Sequence, residues 1–177
     1  MAKYDIQDGC WHARVDPACR RRLLVRHPTN GRLMWASRLP FGYVDSPRLF
    51  CMLTKGIQVE FQKRYAGRGM HLLVYVDEFL CVGKDEAATR EACRLLEGLF
   101  AEFGLEWAPH KRRGPARCIE FLGLLVCNVP GMRCIGLTRK RQAKTGADLA
   151  RWLALRPGGD GRLEVDPTES WLSCSGG

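Results

Sequence analysis

Three acidic residues stand where a folded core would not choose them. Asp5 lies in or at the end of a short apolar strand, Ala2 to Ile6. Asp77 and Glu78 sit side by side between two apolar runs, His71 to Val76 and Phe79 to Val82. Adjacent carboxylates repel, and partial burial makes the repulsion worse. A hard divalent cation relieves it, because magnesium takes one or two carboxylates together with phosphate oxygens. Two such ions about 3.5–4 Å apart stabilise the attacking and leaving oxygens of phosphoryl transfer. Asp5 and Asp77 converge on one such site if their strands are neighbours in a sheet. The competing reading is a solvated turn and an unrelated strand-end aspartate. Local preference argues against that reading, since Asp-Glu is a poor two-residue hairpin loop beside Asn-Gly. Sequences break local rules mostly at functional sites.

The elements that position these acids follow from the pattern. Asp8-Gly9 ends the first strand. Arg22 to His27 and Arg32 to Ser37 read as a hairpin around Pro28-Thr29-Asn30-Gly31, with Asn-Gly as its turn signal. Ser46-Pro47 reads as a helix start, serine as cap and proline in the first turn. Phe50, Leu53, Ile57 and Phe61 give that helix a buried stripe, and it ends near Gly67. The runs 71–76 and 79–82 make a hairpin with Asp77 and Glu78 at its tip. Asp85 caps a second helix whose apolar face is Ala88, Ala92, Leu95, Leu96, Leu99 and Phe103, with Gly104 as its stop. Lys111 falls on a strand after Gly104. Ile119 to Cys127 reads as one strand interrupted by Gly123. Beyond Cys127 the pattern loosens, and Thr138 to Leu155 reads as a basic helix. Arg156 to Gly161 is a linker, and Asp166-Pro167-Thr168-Glu169 announces a helix that the following residues do not continue. The fold class is α+β, with helices packed on one face of a mainly antiparallel sheet.

Composition sets the limits. The chain has 177 residues, enough for one domain or a domain with a fragment. Its hydrophobic share of 46% excludes bulk disorder. The formal charge of +9 suits a polyanionic partner. Nine cysteines without a Cys-x-x-Cys pair argue against zinc and for reduced thiols packed as small apolar groups in an intracellular compartment. No apolar run is long enough to span a membrane. Trp35 and Trp107 are expected to pack on sheets.

The ordered segments resemble the palm of reverse transcriptases from retrotransposons of the long-terminal-repeat and tyrosine-recombinase kinds. Lys3-Tyr4-Asp5-Ile6-Gln7-Asp8-Gly9 resembles motif A. Arg38-Leu39-Pro40-Phe41-Gly42 through Ser46-Pro47-Arg48-Leu49-Phe50 resembles motif B. Tyr75-Val76-Asp77-Glu78 resembles motif C, Lys111 the motif D lysine, and Phe121-Leu122-Gly123 the motif E primer grip. The likeness spans residues 2–127. It implies a palm at 1–127, lacking most of the fingers, followed at 128–177 by a partial thumb or connection segment with an irregular tail.

The resemblance also implies an RNA-directed DNA polymerase that uses two Mg2+ ions, or Mn2+, a template-primer of RNA or DNA, and deoxynucleoside triphosphates. Asp5, the Ile6 carbonyl, Asp77 and Glu78 would hold the metals. Asp8, Gly9 and Cys10 would face the triphosphate, and Phe41 and Gly42 the nucleotide and template. Lys111 would protonate the leaving pyrophosphate. Two departures stand out: Glu78 for the second motif C aspartate, and Cys10 where an aromatic ring usually excludes the ribose 2′-hydroxyl. The expectation is a truncated, inactive copy. The alternatives are a non-catalytic nucleic-acid-binding remnant and a palm-like nucleotide cyclase, the latter disfavoured by Leu-Pro-Phe-Gly.

Overall fold

A computed structural model describes residues 1–154 of the chain. The expected linker at 156–161 and the helix start at 166–169 lie outside the described residues. The chain divides into two compact units, Met1–Thr138 and Arg139–Gly177.

Three antiparallel strands form the first sheet, in the order β1 (Ala2–Asp5), β5 (Glu78–Gly83), β4 (Met70–Tyr75). Alternation decides its two faces. Ala2, Tyr4, Leu72, Phe79 and Cys81 are fully buried on one of them. They pack against α1 (Ser46–Tyr65) and α2 (Glu86–Phe103) in the main core. Lys3 and Asp5 take the alternate positions, as the period of two requires.

α1 buries Phe50, Thr54, Ile57 and Phe61, the expected stripe, with Leu53 half-buried. Its start differs from the expected cap. The Ser46 hydroxyl donates to the Pro40 carbonyl (2.7 Å) and so ties the helix to the preceding loop. α2 begins as expected, with the Ala88 N–H donating to Asp85 Oδ1 (2.7 Å), and ends at Gly104 with φ 66°. Its buried aromatic is Phe100, while Phe103 is 43% exposed. Phe100 lies one residue from Leu99 and closes edge-to-face on Phe79 (4.9 Å) and Tyr4 (5.9 Å). Phe100 follows Leu96 by four residues, so helical spacing itself puts it on the buried face, where the sheet aromatics receive it.

The hairpin around residues 28–31 is present as β2 (Leu24–Arg26) and β3 (Leu33–Trp35). Trp35 does not pack as expected, being 62% exposed. Residues 118–127 form two strands rather than one. β6 (Cys118–Phe121) and β7 (Leu124–Val129) pair antiparallel, and Leu122-Gly123 is the turn between them. Leu122 (φ 55°) and Gly123 (φ 72°) are both left-handed, as a tight hairpin turn requires. The loosened pattern beyond Cys127 is a third strand, β8 (Met132–Leu137), hairpin-paired to β7 around Pro130-Gly131. Ile119 and Phe121 pack with Leu80 in a second, smaller core. The basic helix is α3 (Arg139–Ala154), in the second compact unit. Among the described residues, no helix is long and apolar enough to cross a membrane, and the eight described cysteines are free thiols.

Leu96 is fully buried between helix and sheet. Leu96→Ala should cost about 2–5 kcal/mol, and Asp85→Ala about 1 kcal/mol through the lost cap. Urea unfolding measures both. Equal losses would show that the α2 face is not the centre of the core.

Candidate functional site

The β1–β5 register fixes the site. Asp5 stands directly opposite Glu78, which in turn stands opposite Tyr75 on β4. One residue further on, the Ile6 N–H donates to the Asp77 carbonyl (2.9 Å). Motifs A and C are thereby hydrogen-bonded side by side. The expected tip is shifted by one position. The two-residue loop is Val76-Asp77, and Glu78 already belongs to β5. Val76 holds φ 53°, a conformation that favours glycine at the first loop position. A β-branched residue there stores backbone strain. The shift has a direct consequence: Asp77 projects from the loop, while Glu78 projects from the strand.

The surroundings of the acids follow from this. Asp77 is half-buried, and burial first, then the charges of Asp5 and Glu78, push its carboxyl above the usual carboxylate range. Lys111 opposes that rise. The Lys111 Nζ donates to Asp5 Oδ1 (2.8 Å), and this contact raises the lysine's own pKa. Glu78 Oε2 pairs with Lys3 Nζ (3.1 Å) and also accepts from the Leu122 N–H (3.4 Å). The motif E hairpin is thus joined to motif C through Glu78. Lys3 was missed as a site residue, although its spacing from Asp5 in a strand would have put both on one face.

Lys111 lies in a 3-10 turn, Pro109–Lys111, and not on a strand. Three contacts hold that turn. The Ala108 N–H donates to the Asp5 carbonyl (2.9 Å), and Lys3 and Arg113 exchange backbone hydrogen bonds (2.9 and 3.1 Å). Arg112 Nε–H donates to Tyr4 Oη (3.0 Å), whose hydroxyl donates to Glu97 Oε1 (2.5 Å). Trp107 closes edge-to-face on Tyr4 (5.2 Å), so this tryptophan packs as expected. Arg112 therefore clamps the segment that carries Lys111, a role no local pattern announced.

The expected nucleotide-side residues flank the same loop. Asp8 (φ 54°) and Gly9 (φ 20°) turn the chain out of β1 into a short 3-10 turn, Gly9–His12. Cys10 is buried, and burial followed by the Asp77 charge pushes its thiol up. Phe41 is 62% exposed and meets the exposed Trp11 edge-to-face (6.0 Å). Gly42 (φ 85°) has open space where a side chain would stand. Among the described residues, no three His, Cys, Asp or Glu side chains converge as a ready-made metal cage. Asp5 at the end of β1 and Asp77 in the adjoining loop, its charged form disfavoured by burial and then by like charge, match magnesium, which completes its shell with water and phosphate.

The sequence model of the reverse transcriptase (RNA-dependent DNA polymerase) family matches residues 1–126. No curated protein sequence matches the chain. Solved structures share the fold. A foamy viral protease-reverse transcriptase in complex with RNA/DNA hybrid aligns with TM-score 0.64 and 19% identity, over 86% of this chain and 20% of that one. The foamy viral enzyme in complex with ds DNA gives 0.63 and 21%, over 82% and 23%. The chain thus spans about a fifth of the length of these structures.

Asp77 ties site to stability. Its raised carboxyl pKa means the folded state binds the proton more tightly, so stability falls as pH rises through the interval above the ordinary value near about 4. In metal-free buffer, Asp77→Asn should therefore stabilise the fold at pH 7.5, and the gain should fade by about pH 4. Urea midpoints at both pH values check this, and a destabilised variant at pH 7.5 would refute it. The match across residues 1–126, together with the motifs that the fold brings side by side, shows that this chain belongs to the reverse transcriptase family.

Proposed function

We propose that residues 1–127 act as the catalytic palm of a polymerase that extends a primer on an RNA or DNA template with deoxynucleoside triphosphates. The observation that carries the reading is the juxtaposition of Asp5 and Asp77, locked by the Ile6–Asp77 backbone bond and faced by Lys111. Asp5, Asp77 and the Ile6 carbonyl would hold divalent cations, whose chemistry is to lower the pKa of the primer hydroxyl and to neutralise charge on the triphosphate. Glu78 holds Lys3 and the Leu122 amide through Oε2, which ties motif E to motif C, and would offer such an ion its other oxygen. Lys111 would move from Asp5 to the departing pyrophosphate and donate its proton there. Asp8, Gly9 and Cys10 would line the triphosphate path. Phe41, Gly42 and Trp11 would form the floor under base and sugar, with the small Cys10 leaving room for a 2′-hydroxyl. Phe121 to Gly123 would guide the primer end. Residues 128–177 would serve as the start of a thumb or connection segment.

A nucleic-acid partner is supported by the +9 charge, by Lys111 to Arg113 beside the site, and by the basic residues of α3. The foamy viral structures hold an RNA/DNA hybrid and ds DNA. A non-catalytic remnant that only binds nucleic acid is the second reading, favoured by the lysines already seated on Asp5 and Glu78.

Two measurements separate these readings. Binding of a labelled primer-template should weaken steeply between 50 and 200 mM salt under either reading, as phosphate neutralisation releases counterions. Primer extension should require a divalent cation when the chain is fused behind the fingers of a relative. Asp77→Asn should cut that extension by about 100-fold or more. Salt-independent binding would remove the nucleic-acid partner, and a fusion that binds but never extends would leave the remnant reading.

A further inference from the structure

The small sheet β6-β7-β8 carries a feature that the polymerase chemistry does not use. Cys127 lies directly opposite Cys118 on one side and directly opposite Cys134 on the other. Residues paired in register share a face, so three thiols form a row across the sheet. A row is not a metal cage. With strands about 4.8 Å apart, Cys118 and Cys134 stand about 10 Å apart, too far for thiolates that bind one zinc at about 2.3 Å. Among the described residues no three-ligand metal group occurs. The chemistry open to the row is pairwise, and Cys127 belongs to both pairs.

Hydrogen-bond parity distinguishes the pairs. The Asn128 N–H donates to the Arg117 carbonyl (2.8 Å), so 117 and 128 form a hydrogen-bonded pair. Antiparallel pairs alternate, which makes 118 and 127 a non-hydrogen-bonded pair. Cys127 then turns its backbone groups towards β8 and forms a hydrogen-bonded pair with Cys134. Side chains approach more closely in non-hydrogen-bonded pairs, with Cα atoms about 4.5 Å apart against about 5.5 Å. Both separations lie in the disulfide range, but the closer pair suits the short Cβ–Cβ distance that the bond needs. The hydrogen bond to Cys118 is also the foremost cause that pushes the Cys127 thiol up, ahead of any effect of Cys134. Cys118 is exposed and Cys127 buried, which supplies one reachable sulfur and one sheltered partner.

We propose that Cys118 and Cys127 form a reversible cross-strand disulfide under a disulfide oxidant such as oxidised glutathione, stapling the hairpin that carries Leu122-Gly123. The exposed Cys118 thiolate attacks one glutathione sulfur and releases the first glutathione thiol. The Cys127 thiolate then attacks the Cys118 sulfur and releases the second. The protein dithiol is oxidised by two electrons, and glutathione disulfide is reduced to two thiols, the protons leaving from Cys118 and Cys127. The bond holds the open end of β6–β7, whose turn gives its amide to Glu78.

Trypsin reads the pairing directly. It cuts after Arg117 and Arg133, so Cys118 and Cys127 fall in the peptide 118–133, and Cys134 falls in 134–139. The full chain is equilibrated with oxidised glutathione, alkylated, digested and weighed. Peptide 118–133 should appear two hydrogens lighter and unalkylated, and should return to the alkylated form after dithiothreitol. Cys134→Ser should leave this closed peptide in place, and Cys118→Ser should abolish it. Full alkylation of Cys118 and Cys127 after oxidation would overturn the proposal. A peptide joined to 134–139 would overturn it too, as would linkage to a second molecule.

Discussion

Everything about the site hangs on one register. β1 pairs with β5 so that Asp5 faces Glu78, and the next backbone bond, Ile6 to Asp77, extends that pairing into the loop. Because side chains alternate along a strand, a slip of one residue would turn Tyr4 outward and Asp5 into the core. Tyr4, Phe79 and Cys81, fully buried on the opposite face, forbid it. Apolar burial on the helix-covered face therefore fixes the position of charges on the other. The helices contribute to function in this indirect way, by making one register much more favourable than its neighbours.

Concentrating acids at that edge is costly, and the molecule offsets the cost with lysines. Lys111 sits on Asp5 and Lys3 on Glu78, both at hydrogen-bond distance. Burial, followed by the charges of Asp5 and Glu78, raises the Asp77 carboxyl, and Lys111 only opposes that rise. The left-handed Val76 adds backbone strain at the same loop. Strain and like charge at one place are what a site gives up in stability so as to hold a geometry useful for binding cations and phosphates. Glu78 changes the balance again. Its longer side chain spans to the Leu122 amide and so couples two motifs through one carboxylate.

The motif acids, the two core helices and the hairpins around Asn30-Gly31 and Asp77 could be read in the sequence, because each depends on neighbours within a few residues. Asp85 and Gly104 bound α2 by local hydrogen bonding and backbone freedom, and Asn30-Gly31 marks a turn by its tolerance of positive φ, whereas Leu122-Gly123 reads in the sequence only as a break within one strand. Ordered motifs from Asp5 to Gly123 also identified the family, since motif order survives without any knowledge of distances.

Tertiary structure decided the rest, wherever two distant segments compete for one position. Pairing with β4 and β1 moved the loop tip to Val76-Asp77 and drew Glu78 into a strand. Contacts with Tyr4 and Phe79 set the edge-to-face geometry in which Phe100 is held. Packing of Arg112 on Tyr4 and Glu97 set where Lys111 points. The cysteine row needed both hairpin registers at once, since positions 118, 127 and 134 share no sequence period. Local chemistry, acting over one turn of chain, was enough to write elements and motifs into the sequence. Register and partnership come from burying surface between segments far apart, and only the folded chain holds that information.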